Sequence, residues 1–255
     1  MEVRRGTVSA ETAIAFDTVS KTYSLAWHKA GGIKGIMLHP REALHRMHAA
    51  RREVLHDISF EVARGESVGI IGRNGVGKST VLALIAGVLR PTSGTVTVTG
   101  RVSPLLELGA GFHPELTGRD NIFLNGVLLG MRRGEVARKS ADIIAFAELE
   151  ESIDEPLRVY SSGMMSRLGF AVAAHLEPEI LLIDESLTVG DAEFQEKCIG
   201  KVAELHKRGV TTLLVSHDLE SVARLCGRAM VLESRHIAFS GATAEAVDFY
   251  LDKDR

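Results

Sequence analysis

Alternation of apolar and polar residues predicts two β-strands early in the chain. Residues 13–19 (AIAFDTV) and 54–62 (VLHDISFEV) follow a two-residue period and are rich in strand-forming residues. The connection between them, residues 24–53, contains three glycines as breakers, and a helix is predicted to begin at Pro40. A connection of this length in a compact domain usually has a function.

A strand-loop-helix unit follows. Residues 67–72 (SVGIIG) form a continuous apolar run that is typical of a buried strand, and residues 79–89 (STVLALIAGVL) have the pattern of an apolar helix ending near Pro91. The turn between these two segments is rich in glycine. Such a turn between a buried strand and a helix is a common position for a binding loop.

The middle of the chain changes from a strand pattern to a helical one. Residues 95–101 (TVTVTGR) alternate and predict an antiparallel strand. From 117 to 176 the apolar spacing is helical, and Thr117 followed three residues later by Asp120 resembles a capping box at the start of a helix.

The last third of the chain returns to an alternation of strands and helices. Buried strands are predicted at 180–184 (ILLID) and 211–215 (TTLLV), a helix at 218–226, and a hairpin-like pair at 229–233 and 236–240. Strands that alternate with helices indicate an α/β fold.

Composition agrees with a folded α/β protein and excludes several other classes. The chain has 255 residues, of which 45% are apolar and 25% are charged, so disordered, collagen-like and coiled-coil proteins are disfavoured. It has no run of 18 apolar residues, and its polar start lacks the apolar stretch of a secretory signal, which predicts a cytosolic protein. Cys198 and Cys226 lack disulfide-framework or zinc spacing and are interpreted as reduced packing residues.

Charge is informative in one segment only. The net charge of −3 argues against a nucleic-acid-binding surface over the whole protein. Residues 28–52 carry +5 and the remainder carries −8. The basic side chains in this segment are Lys29, Lys34, Arg41, Arg46, Arg51 and Arg52. An anionic surface could dock there, although a solvated helix face would have the same pattern.

Residues 72–79 (GRNGVGKS) match the phosphate-binding pattern G-x-x-x-x-G-K-[ST] between a predicted strand and a predicted helix. In this pattern backbone N–H groups point at phosphate oxygens, Lys78 reaches the β and γ phosphates, and Ser79 ligates Mg²⁺. The sequence therefore predicts binding of a magnesium-bound nucleoside triphosphate. The residues predicted to contact it are Gly72, Asn74, Gly75, Val76, Gly77, Lys78, Ser79 and Thr80.

Two carboxylates end the predicted strand at 180–184. Open α/β sheets bind ligands at the carboxyl ends of their strands, so Asp184 is predicted to hold Mg²⁺ through water. The next side chain, Glu185, is predicted to polarise the attacking water as a general base. An acidic pair alone would more often cap a helix, and the phosphate-binding pattern favours the catalytic interpretation.

Residues 160–164 (YSSGM) precede the acidic strand by about twenty residues, and here the chain resembles the nucleotide-binding subunits of ABC transporters over nearly its whole length. That family carries its LSGGQ signature at this place, and Ser161 and Gly163 match it. The resemblance implies that Ser161, Ser162 and Gly163 of one subunit close over the ATP of another in a head-to-tail homodimer. A plain helix cap is the alternative interpretation.

The resemblance assigns four further residues. His217, which ends the predicted strand at 211–215, corresponds to the family's switch histidine and is expected to contact the γ-phosphate during catalysis. Tyr23 corresponds to the aromatic residue that stacks on adenine, with a core tyrosine as the alternative. Asp191 corresponds to the D-loop aspartate but lies further along than usual. Glu107 is the nearest candidate for the Q-loop glutamine, which would imply a role at Mg²⁺. It departs from the family pattern because it is a glutamate and is offset by one residue.

Three stretches, residues 105–122, 160–164 and 189–198, resemble the branch that exports O antigen, teichoic acid and capsular polysaccharide. This implies an α/β P-loop ATPase with a mixed RecA-like core sheet, an antiparallel β subdomain and a helical signature subdomain at about 115–176. We expect a single ABC ATPase domain over 1–255 without a C-terminal carbohydrate-binding domain. Residues 24–53 would lie near the membrane-domain entrance, close to a lipid-linked polysaccharide.

The same resemblance implies ATP and Mg²⁺ as cofactors and two integral membrane permease subunits as partners. It places the protein peripherally on the cytoplasmic face of the inner membrane. Alternatives are another class of ABC transporter and a soluble ABC protein of repair or translation, which a single phosphate loop and the lack of overall basicity disfavour. No nucleic-acid partner is therefore expected. A P-loop GTPase or kinase is a further alternative, but the sequence has no N-K-x-D base-reading motif, and this interpretation would leave the signature serine unexplained.

Overall fold

A computed structural model describes residues 11–24, 51–105, 109, 111–184 and 190–253. Within these residues the chain forms nine β-strands: β1 (Thr12–Ser24), β2 (Arg51–Ala63), β3 (Ser67–Ile71), β4 (Ser93–Val98), β5 (Val102–Leu105), β6 (Ile180–Asp184), β7 (Thr211–Val215), β8 (Arg228–Glu233) and β9 (His236–Ala242). It also forms seven α-helices: α1 (Lys78–Ile85), α2 (Gly118–Leu128), α3 (Arg133–Ala147), α4 (Ser162–Ala174), α5 (Ala192–Lys207), α6 (Leu219–Leu225) and α7 (Thr243–Lys253). A short 3₁₀ helix, Leu157–Val159, precedes α4.

The larger sheet has six strands in the order β5-β6-β7-β3-β8-β9. The first five strands in this order run parallel, and β9 pairs with β8 in the antiparallel direction. Every residue of β3 and β7 is buried. These strands are buried because helices cover both faces of a parallel sheet, and this accounts for their continuous apolar sequences.

The smaller sheet is antiparallel, with the order β2-β1-β4. Its inner face packs with α1 and with one face of the larger sheet in a single apolar cluster, in which Phe16 and Phe60 stack at 4.5 Å between ring centroids. Both strands of the pair β1–β2 have 13 residues. The alternation in 13–19 and 54–62 exists because only one face of these strands reaches that cluster.

The helices α2, α3 and α4 lie between β5 and β6 in the chain and pack with the opposite face of the larger sheet. At the start of α2 the Thr117 hydroxyl accepts a hydrogen bond from the Asp120 amide at 3.1 Å, which confirms the predicted cap. Phe170 of α4 is fully buried and lies beside Phe146 of α3 and Phe194 of α5. These aromatic contacts join three helices whose sequences are far apart.

Most predicted elements are confirmed, and three differ. The helix predicted at 79–89 ends at Ile85, because Gly87 follows with a φ of 72° and turns the chain out of the helix. No strand is predicted at β5, whose four residues include Pro104. Proline is tolerated there because β5 is the edge strand of the described sheet. The final helix α7 was also not predicted.

The connection between the first two strands, predicted over residues 24–53, ends earlier than predicted because β2 begins at Arg51. Arg51 and Arg52 lie in β2, exposed and paired with Ser24 and Tyr23 of β1, so the strands extend into the predicted range 24–53. The helix expected from Pro40 lies outside the described residues.

The two cysteines, Cys198 and Cys226, are buried and not bonded to each other. Burial raises the pKa of both thiols to about 12, which agrees with the packing role predicted for them.

Candidate functional site

Three neighbouring parallel strands end in one row and carry the predicted site residues to one edge of the larger sheet. Ile70 of β3 is in register with Val215 of β7, and Val215 is in register with Asp184 of β6. Neighbouring strands lie about 4.8 Å apart, so the phosphate loop, Asp184 and the residues after β7 all leave the sheet within about 10 Å of one another. This edge is where open α/β sheets bind their ligands.

The curl of the phosphate loop depends on glycine at particular positions. Gly77 has a φ of 120°, and a Cβ there would lie 2.9 Å from Leu55 Cδ2 and 3.2 Å from Val54 O. A Cβ on Gly72 would lie 2.5 Å from Leu232 O. The loop is therefore pressed between β2 and the end of β8, where only glycine fits.

The Lys78 ammonium lies inside this curl. Lys78 is only 5% exposed, and its Nζ donates hydrogen bonds to Gly72 O at 2.8 Å and Arg73 O at 3.2 Å. Both acceptors belong to the loop itself, so the loop holds its own cation where a phosphate would bind. A buried ammonium with carbonyl partners attracts anions strongly because little water screens it.

The first turn of α1 brings Ser79 and Thr80 next to Tyr23. Ser79 is exposed at this end of the helix, where free backbone N–H groups and the helix dipole favour an anion. The Tyr23 hydroxyl lies 3.4 Å from Thr80 Oγ1, and Lys21 Nζ lies 5.3 Å from the Tyr23 ring centroid. Tyr23 is half-buried, and its role at the adenine stays a prediction.

Of the residues predicted to act in catalysis, the structure describes Asp184 and His217. Asp184 is half-buried at the end of β6, and His217 is exposed two residues after β7. Glu185 and Glu107 lie outside the described residues, so their roles stay predictions. Beside His217, the Asp218 carboxylate accepts hydrogen bonds from the amides of Glu220 and Ser221 and caps α6. The Ser221 hydroxyl and these amides hold the pKa of Asp218 below its ordinary value.

The predicted signature begins a helix of 13 residues. The Ser161 hydroxyl accepts a hydrogen bond from the Met164 amide at 3.1 Å, so it caps α4, as the alternative interpretation expected. Ser161 and Ser162 are exposed, and Gly163 lies in the first turn. Capping leaves the other first-turn N–H groups available at the surface, so the two interpretations are compatible.

Asp191 has a structural role that the sequence interpretation did not include. Its carboxylate caps α5 by accepting from the Phe194 amide at 3.0 Å and pairs with Arg167 of α4. Arg167 also pairs with Glu148 at 2.8 Å. The amide of Phe194 first, and Arg167 with it, hold the pKa of Asp191 below its ordinary value. The sequence signal for this cap is an aspartate directly before the segment with helical apolar spacing that begins at Ala192.

Sequence reasoning missed the residues that support the phosphate loop from outside. Val54 and Leu55 of β2 contact the Gly77 position from more than twenty residues away, and Leu232 of β8 contacts Gly72. The alternation in 54–62 predicted a strand but gave no sign of what it packs against.

The residues at the sheet edge fit a magnesium ion bound together with phosphate. Among the described residues, no three His, Cys, Asp or Glu side chains gather as a metal-binding cluster. Magnesium in phosphate-transfer sites is usually held by one or two protein ligands, substrate phosphates and water. Ser79 and Asp184 supply such a limited set.

Of the helices in the described part of the chain, none combines the length and apolar character that crossing a bilayer requires.

Comparison with known proteins gives consistent results. A family model described as "ABC transporter" matches residues 55–188. The O-antigen export system ATP-binding protein RfbB of Klebsiella pneumoniae is 51% identical over 240 residues, covering 94% of this chain and 98% of that protein. The teichoic acids export ATP-binding protein TagH of Listeria innocua is 40% identical over 237 residues, covering 93% of this chain and 69% of that protein.

Solved structures share the fold. The ATP-binding subunit of an ABC transporter superposes with a TM-score of 0.77 at 22% identity, covering 96% of this chain and all of that one. A bacterial ABC transporter cassette superposes with a TM-score of 0.70 at 23% identity, covering 90% of this chain and 98% of that one. These neighbours confirm the predicted α/β class with mixed parallel and antiparallel sheets.

Proposed function

The chain belongs to the ABC transporter family of ATP-binding proteins, and we propose that it powers a bacterial exporter that moves a lipid-linked polysaccharide across the inner membrane. The family binds and hydrolyses ATP. The observation that carries the proposal is the glycine-rich loop enclosing Lys78, at a sheet edge shared with Asp184 and His217. RfbB and TagH, which resemble this chain over more than nine-tenths of its length, are named for the export of O antigen and teichoic acid.

The phosphate loop binds the triphosphate of ATP in this proposal. The N–H groups of residues 74–80 and the Lys78 ammonium contact the phosphates, and Tyr23 stacks on the adenine ring. Ser79 would hold Mg²⁺, and Asp184 would do so through water, with Glu107 as a further candidate. When bound there, the ion would supply positive charge against the charge that develops on the phosphates.

Hydrolysis requires a group that orients and deprotonates water. Glu185 follows Asp184 directly and is the proposed general base, and His217 contacts the γ-phosphate from the neighbouring strand end. The register of β6 with β7 supports this pairing, because Asp184 and Val215, the last residues of the two strands, lie opposite each other.

The nucleotide is enclosed by a second copy of the chain. Dimers of the ATP-binding subunit and partnership with membrane permeases are typical of ABC export systems. We place Ser161, Ser162 and Gly163 of one subunit over the phosphate loop of the other, since the start of α4 is exposed and carries free N–H groups. Asp191 lies at the start of α5 and pairs with α4, which supports a place for it near the same interface.

Export requires contact with membrane components. We propose that the ATPase dimer binds two permease subunits on the cytoplasmic face of the inner membrane. The basic residues of segment 24–53 would face the anionic diphosphate or the lipid surface, where each Lys or Arg near the surface contributes about 1 kcal/mol.

The test is ATP-driven export by the subunit reconstituted with its permease in vesicles that contain a lipid-linked glycan. We expect export and glycan-stimulated ATPase activity from the native chain, and neither from Lys78→Ala, because the loop then lacks its buried cation. Lys207→Ala, which removes an exposed lysine at the end of α5, is the matched control and should retain both. Stimulation by an unrelated peptide or drug substrate instead of the glycan would contradict the proposed substrate class.

A further inference from the structure

A ladder of hydrogen bonds joins the loop before α2 to the segment that leads into α4. These two stretches are separated by about forty residues in the chain. The four backbone bonds run from Gly118 N to Glu155 O (3.1 Å), Arg119 N to Ile153 O (2.9 Å), Leu157 N to Leu116 O (3.0 Å) and Arg158 N to Pro114 O (2.9 Å). We call residues 113–119 the tip loop and residues 153–160 the entry segment.

Side chains strengthen the ladder at both ends. The Arg119 guanidinium forms two hydrogen bonds with the Asp154 carboxylate, at 2.7 and 3.1 Å. Tyr160 is 7% exposed and donates a hydrogen bond from its hydroxyl to Ser152 O at 2.6 Å. The fit is close, because a Cβ on Gly118 would lie 2.3 Å from the Tyr160 hydroxyl oxygen. The backbone directly before Ser161 is thus held on several sides.

Asn121 holds the tip loop in place from beneath. It is fully buried in the first turn of α2, and its Oδ1 accepts a hydrogen bond from His113 N at 2.7 Å. Its Nδ2 donates to three carbonyls, those of His113 (3.1 Å), Leu116 (3.1 Å) and Thr117 (2.9 Å). One amide side chain therefore pairs with backbone groups along most of the loop. Each of these carbonyls also accepts a backbone N–H, so losing the amide removes one of two hydrogen bonds from each and leaves the His113 amide without its Asn121 partner.

We propose that Asn121 is a positioning residue for the signature serine, Ser161. Asn121 fixes the tip loop, the ladder transfers that position to the entry segment, and the entry segment sets the direction in which α4 and its Ser161 cap face the partner subunit. Asn121 lies in α2 rather than at the nucleotide. This inference rests on the proposed function, since it requires that Ser161 closes over the nucleotide of a second copy.

A purely structural role for Asn121 makes a different prediction. If the amide only stabilised the fold, its loss would lower the melting temperature. Dimer closure would then weaken no more than in a core variant with the same loss of stability. If it positions Ser161, its loss weakens ATP-dependent pairing while ATP binding at the phosphate loop of the single subunit stays intact. The two subunit surfaces can be separated because the phosphate loop lies on β3 and α1, remote in sequence from the ladder.

The experiment measures two affinities on each variant of the full chain in a Glu185→Gln background, which is chosen to slow hydrolysis. Asn121→Asp keeps the shape and the Oδ1 acceptor but replaces the Nδ2 donor with a second acceptor oxygen. Asn121→Ser shortens the side chain without adding charge. Ile143→Val, a conservative change in the fully buried core of α3, is the matched control for stability. Monomer affinity for ATP is measured by titration at low protein concentration, and dimerisation with ATP by analytical ultracentrifugation.

We expect both Asn121 variants to bind ATP within twofold of the parent, and to raise the dimer dissociation constant at least tenfold. Ile143→Val should dimerise like the parent. Unchanged dimerisation in the Asn121 variants would overturn the inference, and so would an equal loss in the control at matched melting temperature. Should neither Asn121 variant fold, Tyr160→Phe, which removes only the bond to Ser152, must show the same loss.

The parent protein separates the two levels of the proposal. If the parent binds ATP but never dimerises, the head-to-tail pairing itself is wrong and the role of Asn121 falls with it. If the parent dimerises and the Asn121 variants do so equally well, only the further inference is wrong.

Discussion

At the residue scale, the site depends on a few positions where no other side chain fits the backbone. Gly77 combines a φ of 120° with close contacts to Val54 and Leu55. Lys78, the next residue, is enclosed by the carbonyls of the same loop. The glycine therefore shapes the loop, and the lysine supplies the charge that binds phosphate.

Gly77→Ala should lower the free energy of unfolding by about 1 to 3 kcal/mol, because alanine is strained at this φ and its Cβ meets β2. ATP affinity should fall with it, since β2 or the loop must move. Urea unfolding and calorimetric titration check both effects.

The matched control for this change is Gly200→Ala in α5, where a Cβ would meet nothing within 4 Å. Alanine there should keep stability or raise it by about 0.5 to 1 kcal/mol. Similar losses of stability at both positions would show that the close contacts around Gly77 do not cause the destabilisation of Gly77→Ala.

Glu185→Gln should leave ATP binding intact and reduce turnover by at least a hundredfold, because the amide keeps the shape but cannot accept a proton from water. The variant should accumulate as an ATP-bound dimer on size exclusion. Turnover equal to the native rate would remove Glu185 from its proposed role.

At the element scale, a few charged side chains tie together elements that are distant in the chain. Arg167 joins α4 to the start of α5 through Asp191, and to the end of α3 through Glu148. Arg228 at the start of β8 contacts Glu66 before β3 at 2.6 Å and Glu61 O of β2 at 2.7 Å. The Arg167 contacts connect three helices with one another, and the Arg228 contacts connect the antiparallel sheet to the larger sheet.

The Glu66–Arg228 pair predicts a pH dependence. Burial alone would raise the pKa of Glu66, but hydrogen bonds from Arg228 and the Ala63 amide outweigh burial and hold the pKa below the ordinary 4.5. Its stabilisation is therefore fully present above the unfolded value and is lost as the pH falls through the lower folded value.

Glu66→Gln should accordingly destabilise the protein by about 1 to 2 kcal/mol near neutral pH. The difference from the native chain should shrink in acid, which unfolding curves at a series of pH values can measure. A difference that stays constant into strong acid would contradict the assignment.

At the scale of the whole molecule, apolar packing lies on both sides of the larger sheet, whereas the excess of positive charge lies in one segment of the chain. Two apolar clusters fill the two sides of the larger sheet, and one of them includes the antiparallel sheet and α1. The net charge is only −3, although the segment at 28–52 carries +5. A local excess of charge of this kind acts on partners and contributes little to folding.

Replacing Arg41, Arg46, Arg51 and Arg52 with glutamine should leave the ATPase activity of the isolated subunit within twofold and reduce glycan export in reconstituted vesicles at least fivefold. Arg51 and Arg52 are exposed in β2, so their loss should not disturb the core.

Replacing four exposed cations outside this segment with glutamine is the control for net charge and should leave export unchanged; these are Arg133, Arg138, Lys207 and Arg208. Equal losses of export and of soluble ATPase activity in the arginine variants would mean that the segment has a structural role.

The sequence by itself determined the features that depend on neighbours along the chain. The apolar run before Gly72, the glycines of the loop and the cap at Thr117 all act over fewer than ten residues, so local pattern and backbone preference were sufficient to predict them. Elements without a strong local pattern, such as β5 with its Pro104, were missed for the same reason.

Only the tertiary structure decided which distant residues meet. The register that aligns Ile70, Val215 and Asp184, the contact of Val54 with Gly77, and the ladder beneath Asn121 join residues that lie from about eight to well over a hundred positions apart. Side-chain patterns specify that a face is buried, but many partners could bury it equally well. The choice among them is made by simultaneous packing of all the elements, which no local segment contains.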